Sequence, residues 1–184
     1  MKNHDELIGR CKAGQRDAQL EIYRQYYRPM YNTCLRIVKI SADAEDIMQN
    51  SFIDAFRNIR KYRGEASFNA WLRRIVINNS IRHIKHKSQI IELTDAIPDF
   101  AYEPDDYREE FVEMRIEGIK KAMYQIRDEY RIILSLNLFE GMDLEEIGDI
   151  LKLNPGNVRT RLSRARAALI AELKNQDHTI AARG

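Results

Sequence analysis

Asp143-Leu144-Glu145-Glu146-Ile147-Gly148-Asp149-Ile150-Leu151-Lys152-Leu153-Asn154-Pro155-Gly156-Asn157-Val158-Arg159-Thr160-Arg161-Leu162-Ser163-Arg164-Ala165-Arg166 reads as two helices and the turn between them. Asp143 is a natural N-cap, and Glu145 and Glu146 fall in the first turn, where the helix dipole favours negative charge. Leu144, Ile147, Ile150 and Leu151 give this short helix one buried face. Gly148 has no side chain, so another helix can approach closely there. Asn154 is a strong N-cap and Pro155 suits the first helical position, so a new helix follows the turn at once. In that helix Val158, Leu162, Ala165 and Leu169 recur at steps of four, three and four and form one apolar stripe. Asn157, Arg159, Thr160, Ser163, Arg164 and Arg166 lie mostly off the stripe. Arg and Asn can read base edges bidentately, while Arg and Ser also hold phosphates. Residues 143–171 therefore predict a helix-turn-helix whose second helix reads duplex DNA in the major groove. The simpler account is an amphipathic hairpin with a basic outer face. Four arginines within eight residues, directly after a capped turn, weigh against it.

Working outward, the remaining chain reads as all-α. Its 184 residues contain only 8 Gly and 4 Pro, and no strand-like alternation persists. Residues 18–37 carry a helical stripe that includes Leu20, Ile22, Tyr23, Tyr26, Tyr27 and Met30; Pro29 is expected to bend or interrupt it. A second helix is predicted from Ser41, read as its N-cap, to about Arg57, with Ile47, Phe52, Ile53 and Phe56 as apolar positions. A basic glycine-containing loop, 60–66, leads to a third helix at 67–87. Between Glu92 and Arg108 periodicity fades, Pro98 and Pro104 intervene and acids dominate, as in an interdomain linker. Helices resume near Tyr107, running to about Tyr124, and again from Asp128 to Phe139, where Gly141 ends the run. The predicted organisation is two small helical domains, 1–90 and 109–174, joined by an acidic linker at 91–108 and followed by a polar tail at 175–184.

Charge is distributed in blocks. Residues 57–87 hold nine Lys or Arg against one acid, 92–117 hold ten acids against two bases, and 155–174 hold five bases against one acid. Two basic surfaces on one chain suggest two contacts with a polyanion, although any single block can also be a solvated helix face. On a helical wheel the 67–87 helix is apolar on most sides, with Phe68, Trp71, Leu72, Ile75 and Val76 on one arc and Ile77, Ile81 and Ile84 on another. That pattern places it centrally in its domain. Arg74, Asn78, Arg82 and Lys85 remain as one narrow strip bordered by Trp71. Beside the basic loop, the strip suits single-stranded nucleic acid, with cations on the backbone and aromatic or loop side chains receiving unstacked bases. For Trp71 itself, a place in the core is the simpler role.

Several function classes find no support. No apolar run approaches the ~20 residues that span a bilayer, and Met1-Lys2-Asn3-His4-Asp5-Glu6 has no apolar signal core; a cytoplasmic protein without membrane insertion is expected. Cys11 and Cys34 make no disulfide framework. His83-Ile84-Lys85-His86 has metal-like spacing, but no nearby Cys or acid completes a site. No phosphate-binding glycine loop or nucleophile motif is present. We expect no enzyme activity, no catalytic residue, no metal and no cofactor.

Asp43-Ala44-Glu45-Asp46-Ile47-Met48-Gln49-Asn50-Ser51-Phe52 resembles the second conserved region of extracytoplasmic-function (ECF) sigma factors. Tyr62-Arg63-Gly64-Glu65-Ala66-Ser67-Phe68-Asn69-Ala70-Trp71-Leu72, with Ile75 and Asn78, resembles the promoter-melting part that follows. Segments 140–148 and 158–166 resemble the family's fourth region, so the likeness covers about residues 5 to 173 in order. The resemblance implies that Asp46, Gln49 and Asn50 contact core RNA polymerase. It implies that Arg60, Lys61, Arg63, Ser67, Trp71, Arg74, Asn78, Arg82 and Lys85 meet the melted downstream promoter element, while the helix-turn-helix reads the upstream element as duplex. The acidic linker then threads toward the active cleft, and an anti-sigma protein is a further expected partner. Three positions depart from the family pattern. Asn50 stands where an acid is usual. Ile126-Arg127 replaces a common Leu-Pro, which should end the preceding helix less sharply. Gly148 replaces a frequent Ala, a small-for-small change expected to leave packing unaltered. The rival reading is a helix-turn-helix regulator with a helical N-terminal interaction domain, for which the block from Asp43 to Asn78 has no use.

Overall fold

The computed structural model describes residues 2–91 and 110–181. The predicted linker therefore lies almost wholly outside the described residues, as does the end of the tail. The chain divides into two compact units, Met1–Pro98 and Asp99–Gly184.

The first unit contains α1 (Lys2–Lys12), α2 (Arg16–Val38), α3 (Ser41–Asn58), a 3-10 turn (Ile59–Lys61) and α4 (Phe68–Ile91). Helices α2, α3 and α4 pack against one another pairwise. The apolar stripes meet in a core of Ile22, Met30 and Ile37 from α2, Met48 and Phe52 from α3, and Leu72, Val76 and Ile77 from α4. Pro29 does not interrupt α2. It removes one intrahelical donor, but Met30, Thr33 and Cys34 in the next turn are buried and hold the helix by packing. Ser41 is not a cap. Lys39 adopts φ 70° and closes α2 onto the Leu35 carbonyl, so α3 starts directly from Ile40 and Ser41 is already helical.

A second set of contacts fixes α3 against α4. The Asn79 amide donates to Ser51 Oγ (3.1 Å) and Asp54 Oδ2 (3.2 Å), while Ser51 and Ser80 donate to Ile47 O and Val76 O on their own helices. These buried hydroxyls are thus satisfied, and the two helices share one register.

The second unit contains α5 (Glu110–Gln125), α6 (Asp128–Leu134) continued by a π-helical turn (Ser135–Phe139), α7 (Leu144–Leu151) and α8 (Pro155–Ala181). Helix α8 packs on α5, α6 and α7 and continues to Ala181, through most of what was expected to be a tail. Ile133, Leu134, Leu136, Ile147, Val158 and Ala165 form the core. Arg131 is buried among them and paired with Asp128. Burial pushes its guanidinium pKa down, and the Asp128 carboxylate works against that shift. The Ile126-Arg127 junction ends α5 cleanly at Gln125, contrary to expectation. Arg127 takes φ −54° and ψ 144°, a conformation that proline also adopts, and Ile126 is buried.

The helix-turn-helix begins with a full capping box. Asp143 Oδ1 accepts from the Glu145 and Glu146 N–H groups (2.9 Å each), and the Asp143 N–H donates to Glu146 Oε2 (3.0 Å). Lys152 ends α7 in the left-handed region at φ 59°, ψ 47°. The Lys152 and Leu153 N–H groups both donate to Gly148 O, the latter at 2.9 Å. Asn154 Oδ1 then accepts from the Asn157 N–H (2.8 Å) and starts α8. The turn folds so tightly over Gly148 that a Cβ there meets Leu153 O at 2.6 Å, with Val158 Cγ2 at 3.7 Å. Gly148 and Ala are therefore not equivalent here, because a backbone oxygen cannot rotate away. Gly148→Ala gains about 1 kcal/mol of helix propensity but forces an overpacking cost of about 1–3 kcal/mol. Denaturant melting of this variant should show a net loss of stability in the second unit; a gain would mean that the turn relaxes freely.

Candidate nucleic-acid interface

Helix α3 exposes Asp46, Gln49 and Asn50 on one face, separated by three and four residues along the helix. Ile53, one step further along the same face, is 46% exposed. The sequence reading placed Ile53 with the buried apolar positions, but Phe52 (2% exposed) takes that place and packs edge-on to Tyr23 at 4.9 Å. The α3 face is therefore polar with an apolar end. Its signal in the sequence was spacing, since 46, 49, 50 and 53 share one helical face.

Helix α4 carries its strip as expected: Arg74, Asn78, Arg82 and Lys85 are all exposed, while Phe68, Leu72, Val76, Ile77 and Ile81 are buried. Its first turn is capped by Ser67, whose Oγ accepts from the Ala70 N–H at 3.2 Å. Arg60, Lys61, Arg63 and Ser67 are exposed on the preceding loop. Trp71 is half-buried: its ring packs at 5.5 Å on both Phe68 and Tyr62, leaving part of it accessible. Tyr62 escaped the sequence reading as a functional position. It lies 5.5 Å from Phe68, and its hydroxyl donates to Ala66 O (2.8 Å), closing the loop across Gly64 at φ 81°.

At the far end of the strip, Asp43 in the first turn of α3 meets Lys87 and His83 of α4. Lys87 Nζ is 2.9 Å and His83 Nε2 is 3.2 Å from Asp43 Oδ2. Burial pushes the Asp43 carboxyl up, but Lys87 and His83 outweigh burial and hold it below its ordinary value of 3.8. His83 is thus committed to α3, and among the described residues no group of three or more His, Cys, Asp or Glu could hold a metal.

In the second unit Asn157, Arg159, Thr160, Ser163, Arg164 and Arg166 are exposed on α8, while Val158, Leu162 and Ala165 are buried. Thr160 Oγ1 donates to Gly156 O (3.1 Å), which leaves its oxygen able to accept. Arg166 donates to Asn137 Oδ1 (3.0 Å), and Asn137 Nδ2 donates to Met142 O (3.1 Å). Asn137, another position the sequence reading did not single out, thus ties the recognition helix to the loop before α7. A cleft of about 400 Å³ opens here, lined by Asn137, Leu144, Arg159, Leu162, Ser163 and Arg166.

The described residues thus form one unit with a basic strip beside an aromatic loop and another with a helix-turn-helix. Residues 22–90 match the family model for Sigma-70 region 2, and residues 116–169 match that for Sigma-70, region 4. The chain is 30% identical to the ECF RNA polymerase sigma factor SigW of Bacillus subtilis strain 168, over 91% of this chain and 95% of that protein. It is 27% identical to the RNA polymerase sigma-H factor of Pseudomonas aeruginosa, over 89% and 90% of the two chains. In fold it is similar to the sigma factor RpoE of Bartonella quintana, solved with the anti-sigma factor NepR, with a TM-score of 0.66 and 20% identity across 84% of this chain and 95% of that one. The chain belongs to the ECF sigma factor family.

The Asp43 cluster generates a pH-dependent prediction. A carboxyl whose folded pKa is lowered contributes stability above its unfolded pKa and loses it as pH falls through the folded value. Asp43→Asn should therefore lower the melting temperature at pH 7. The gap from the wild type should close as pH falls below 3.8 and through the lowered folded value. A gap that persists unchanged to pH 2 assigns the effect to something other than the carboxylate.

Proposed function

We propose that this sigma factor divides its work among three surfaces, with the first unit spanning about residues 1–90, the linker 91–108 and the second unit 109–174. Asp46, Gln49 and Asn50 contact core RNA polymerase, and Ile53 adds apolar area to that contact. Arg60, Lys61, Arg63, Ser67, Trp71, Arg74, Asn78, Arg82 and Lys85 receive the melted downstream element. Asn157, Arg159, Thr160, Ser163, Arg164 and Arg166 read the upstream element as duplex. The observation that carries this division is the exposed Arg74-Asn78-Arg82-Lys85 strip on a helix whose opposite side, Phe68, Leu72, Val76, Ile77 and Ile81, is buried in the core. A regulator that only bound duplex DNA through α8 has no use for it. Sigma factors are not enzymes, and the role of this chain is to position polymerase and hold strands apart. Its sigma-factor relatives support action beside polymerase in the cytoplasm; among the described residues no helix is long and apolar enough to cross a membrane. The solved sigma factor RpoE carries an anti-sigma factor; by that likeness an anti-sigma protein is a regulatory partner of this chain as well.

The purified chain should bind core polymerase and direct initiation from a promoter selected with the resulting holoenzyme. Arg159→Ala and Arg164→Ala should each weaken duplex binding by about 1–3 kcal/mol for every base-specific interaction they remove. Asn78→Ala and Arg82→Ala should leave duplex binding intact and reduce permanganate reactivity of the melted region. If all four variants shared one duplex defect and opened normally, the division between surfaces fails. If the chain bound promoter duplex tightly yet never joined polymerase, the regulator reading replaces it.

A further inference from the structure

The loop from Arg60 to Ser67 presents cations to solvent, and every residue in it except Tyr62 is exposed. Tyr62 is thus the loop's one half-buried side chain. Its N–H donates to Ile59 O (3.1 Å) and its hydroxyl donates to Ala66 O (2.8 Å), so it pins both ends of the turn around Gly64. What pins Tyr62 in turn comes from fifty positions earlier. Lys12, the last residue of α1, donates from Nζ to the Tyr62 carbonyl (2.8 Å), and the same ammonium lies 5.4 Å from the centroid of the Tyr62 ring. Helix α1 also packs on the 3-10 turn Ile59–Lys61.

Lys12 is itself firmly held. Leu7, Ile8 and Cys11 of α1 are buried, and the α1–α2 turn is closed by Arg10, which donates to Gln15 Oε1 (2.7 Å) and pairs with Asp17. An ammonium is costly to place beside a cation-rich loop unless its hydrogen bonds are well satisfied. Here a carbonyl and an aromatic face satisfy it, and the loop receives a fixed shape in return. A loop fixed before binding is spared the ordering cost that a mobile one incurs on capturing a strand.

We propose that Lys12 is a positioning residue for capture of melted DNA: through the Lys12–Tyr62 contact, α1 sets the shape of the loop that grips the separated strand. The proposal rests on the reading of loop 60–67 as a single-strand surface. Lys12 contacts the loop, and its effect on DNA passes through Tyr62.

The test uses holoenzyme assembled from core polymerase and the full chain, on a promoter selected from a randomised duplex library with the wild type. Opening is read by permanganate reactivity of unpaired thymines. Strand capture is read by anisotropy of a labelled single strand from the same promoter, and folding by thermal melting. Lys12→Met keeps the long stem and removes the donor. It should reduce opening and single-strand affinity about tenfold, the scale of one charge-assisted hydrogen bond, with core binding unchanged and the melting temperature lowered by only a few degrees, so that the chain stays folded under the assay conditions. Lys12→Arg, which can still donate to the carbonyl, should restore most of the loss. Tyr62→Phe should act in the same direction, and the double variant should be no worse than the poorer single one, because both changes release the same loop. Normal opening by Lys12→Met overturns the proposal, as do defects that simply multiply. So does a drop of about one in the salt slope of strand binding, which marks Lys12 as a direct phosphate contact. If the wild type captures no single strand at all, the role of the loop is at fault rather than the contact that shapes it.

Discussion

A helix buried on most of its circumference can offer function only the strip that remains, and α4 is such a helix. Its Phe68, Leu72, Val76, Ile77 and Ile81 are committed to the core, and Asn79 on another side reaches α3. The strip of Arg74, Asn78, Arg82 and Lys85 is held by core packing rather than by a flexible loop. Because the Asn79 amide donates to Ser51 and Asp54, α4 cannot slide along α3 without breaking two hydrogen bonds in a part-buried setting. The Asp43 pairing with Lys87 and His83 fixes the same two helices at the other end. The exposed face of α3 and the basic strip of α4 therefore keep one register, so that a partner held on one has a fixed position relative to the other.

The second unit solves a related problem differently. Its recognition helix begins only three residues after α7 ends, so the turn must reverse the chain in very little space. Lys152 in the left-handed region and the double acceptance at Gly148 O do this. The result leaves no room for a Cβ at Gly148. Asn137 then joins Arg166 to Met142 O, so the exposed face of α8 is braced from behind as well as from its N-terminus. An arginine braced in this way loses less rotamer freedom on meeting a base or phosphate than one free in solvent.

Local chemistry was legible in the sequence wherever one or two neighbouring residues decide the geometry. Asp143 and Asn154 cap as their types require, and the stripe of Val158, Leu162 and Ala165 is buried as its spacing requires. Ser41 misled because a cap depends on where the previous helix stops, and Lys39 stops α2 with a positive φ that is uncommon for lysine. Ile53 misled because composition does not say which of two adjacent apolar residues faces the core. Gly148 was understood as a place for close approach, but the approaching atom is a backbone oxygen, and no residue type announces that. The Lys12–Tyr62 contact was beyond reach altogether, since it joins positions fifty apart and neither residue is unusual where it stands.

Each surface taken alone is modest. One recognition helix offers a handful of base-edge and phosphate contacts, and such single modules depend on neighbours for useful affinity. A short basic strip grips single strands through phosphate charge and stacking, with little preference for sequence. Joined on one chain, the second contact becomes intramolecular, and its effective concentration rather than its own affinity governs occupancy. That advantage is greatest when a larger body holds both units at the span of the promoter, because a linker alone leaves their separation variable. Under the division of surfaces proposed above, binding to core polymerase through α3 meets this condition. It turns two weak readers of DNA into one selective reader whose specificity includes the spacing between the two elements.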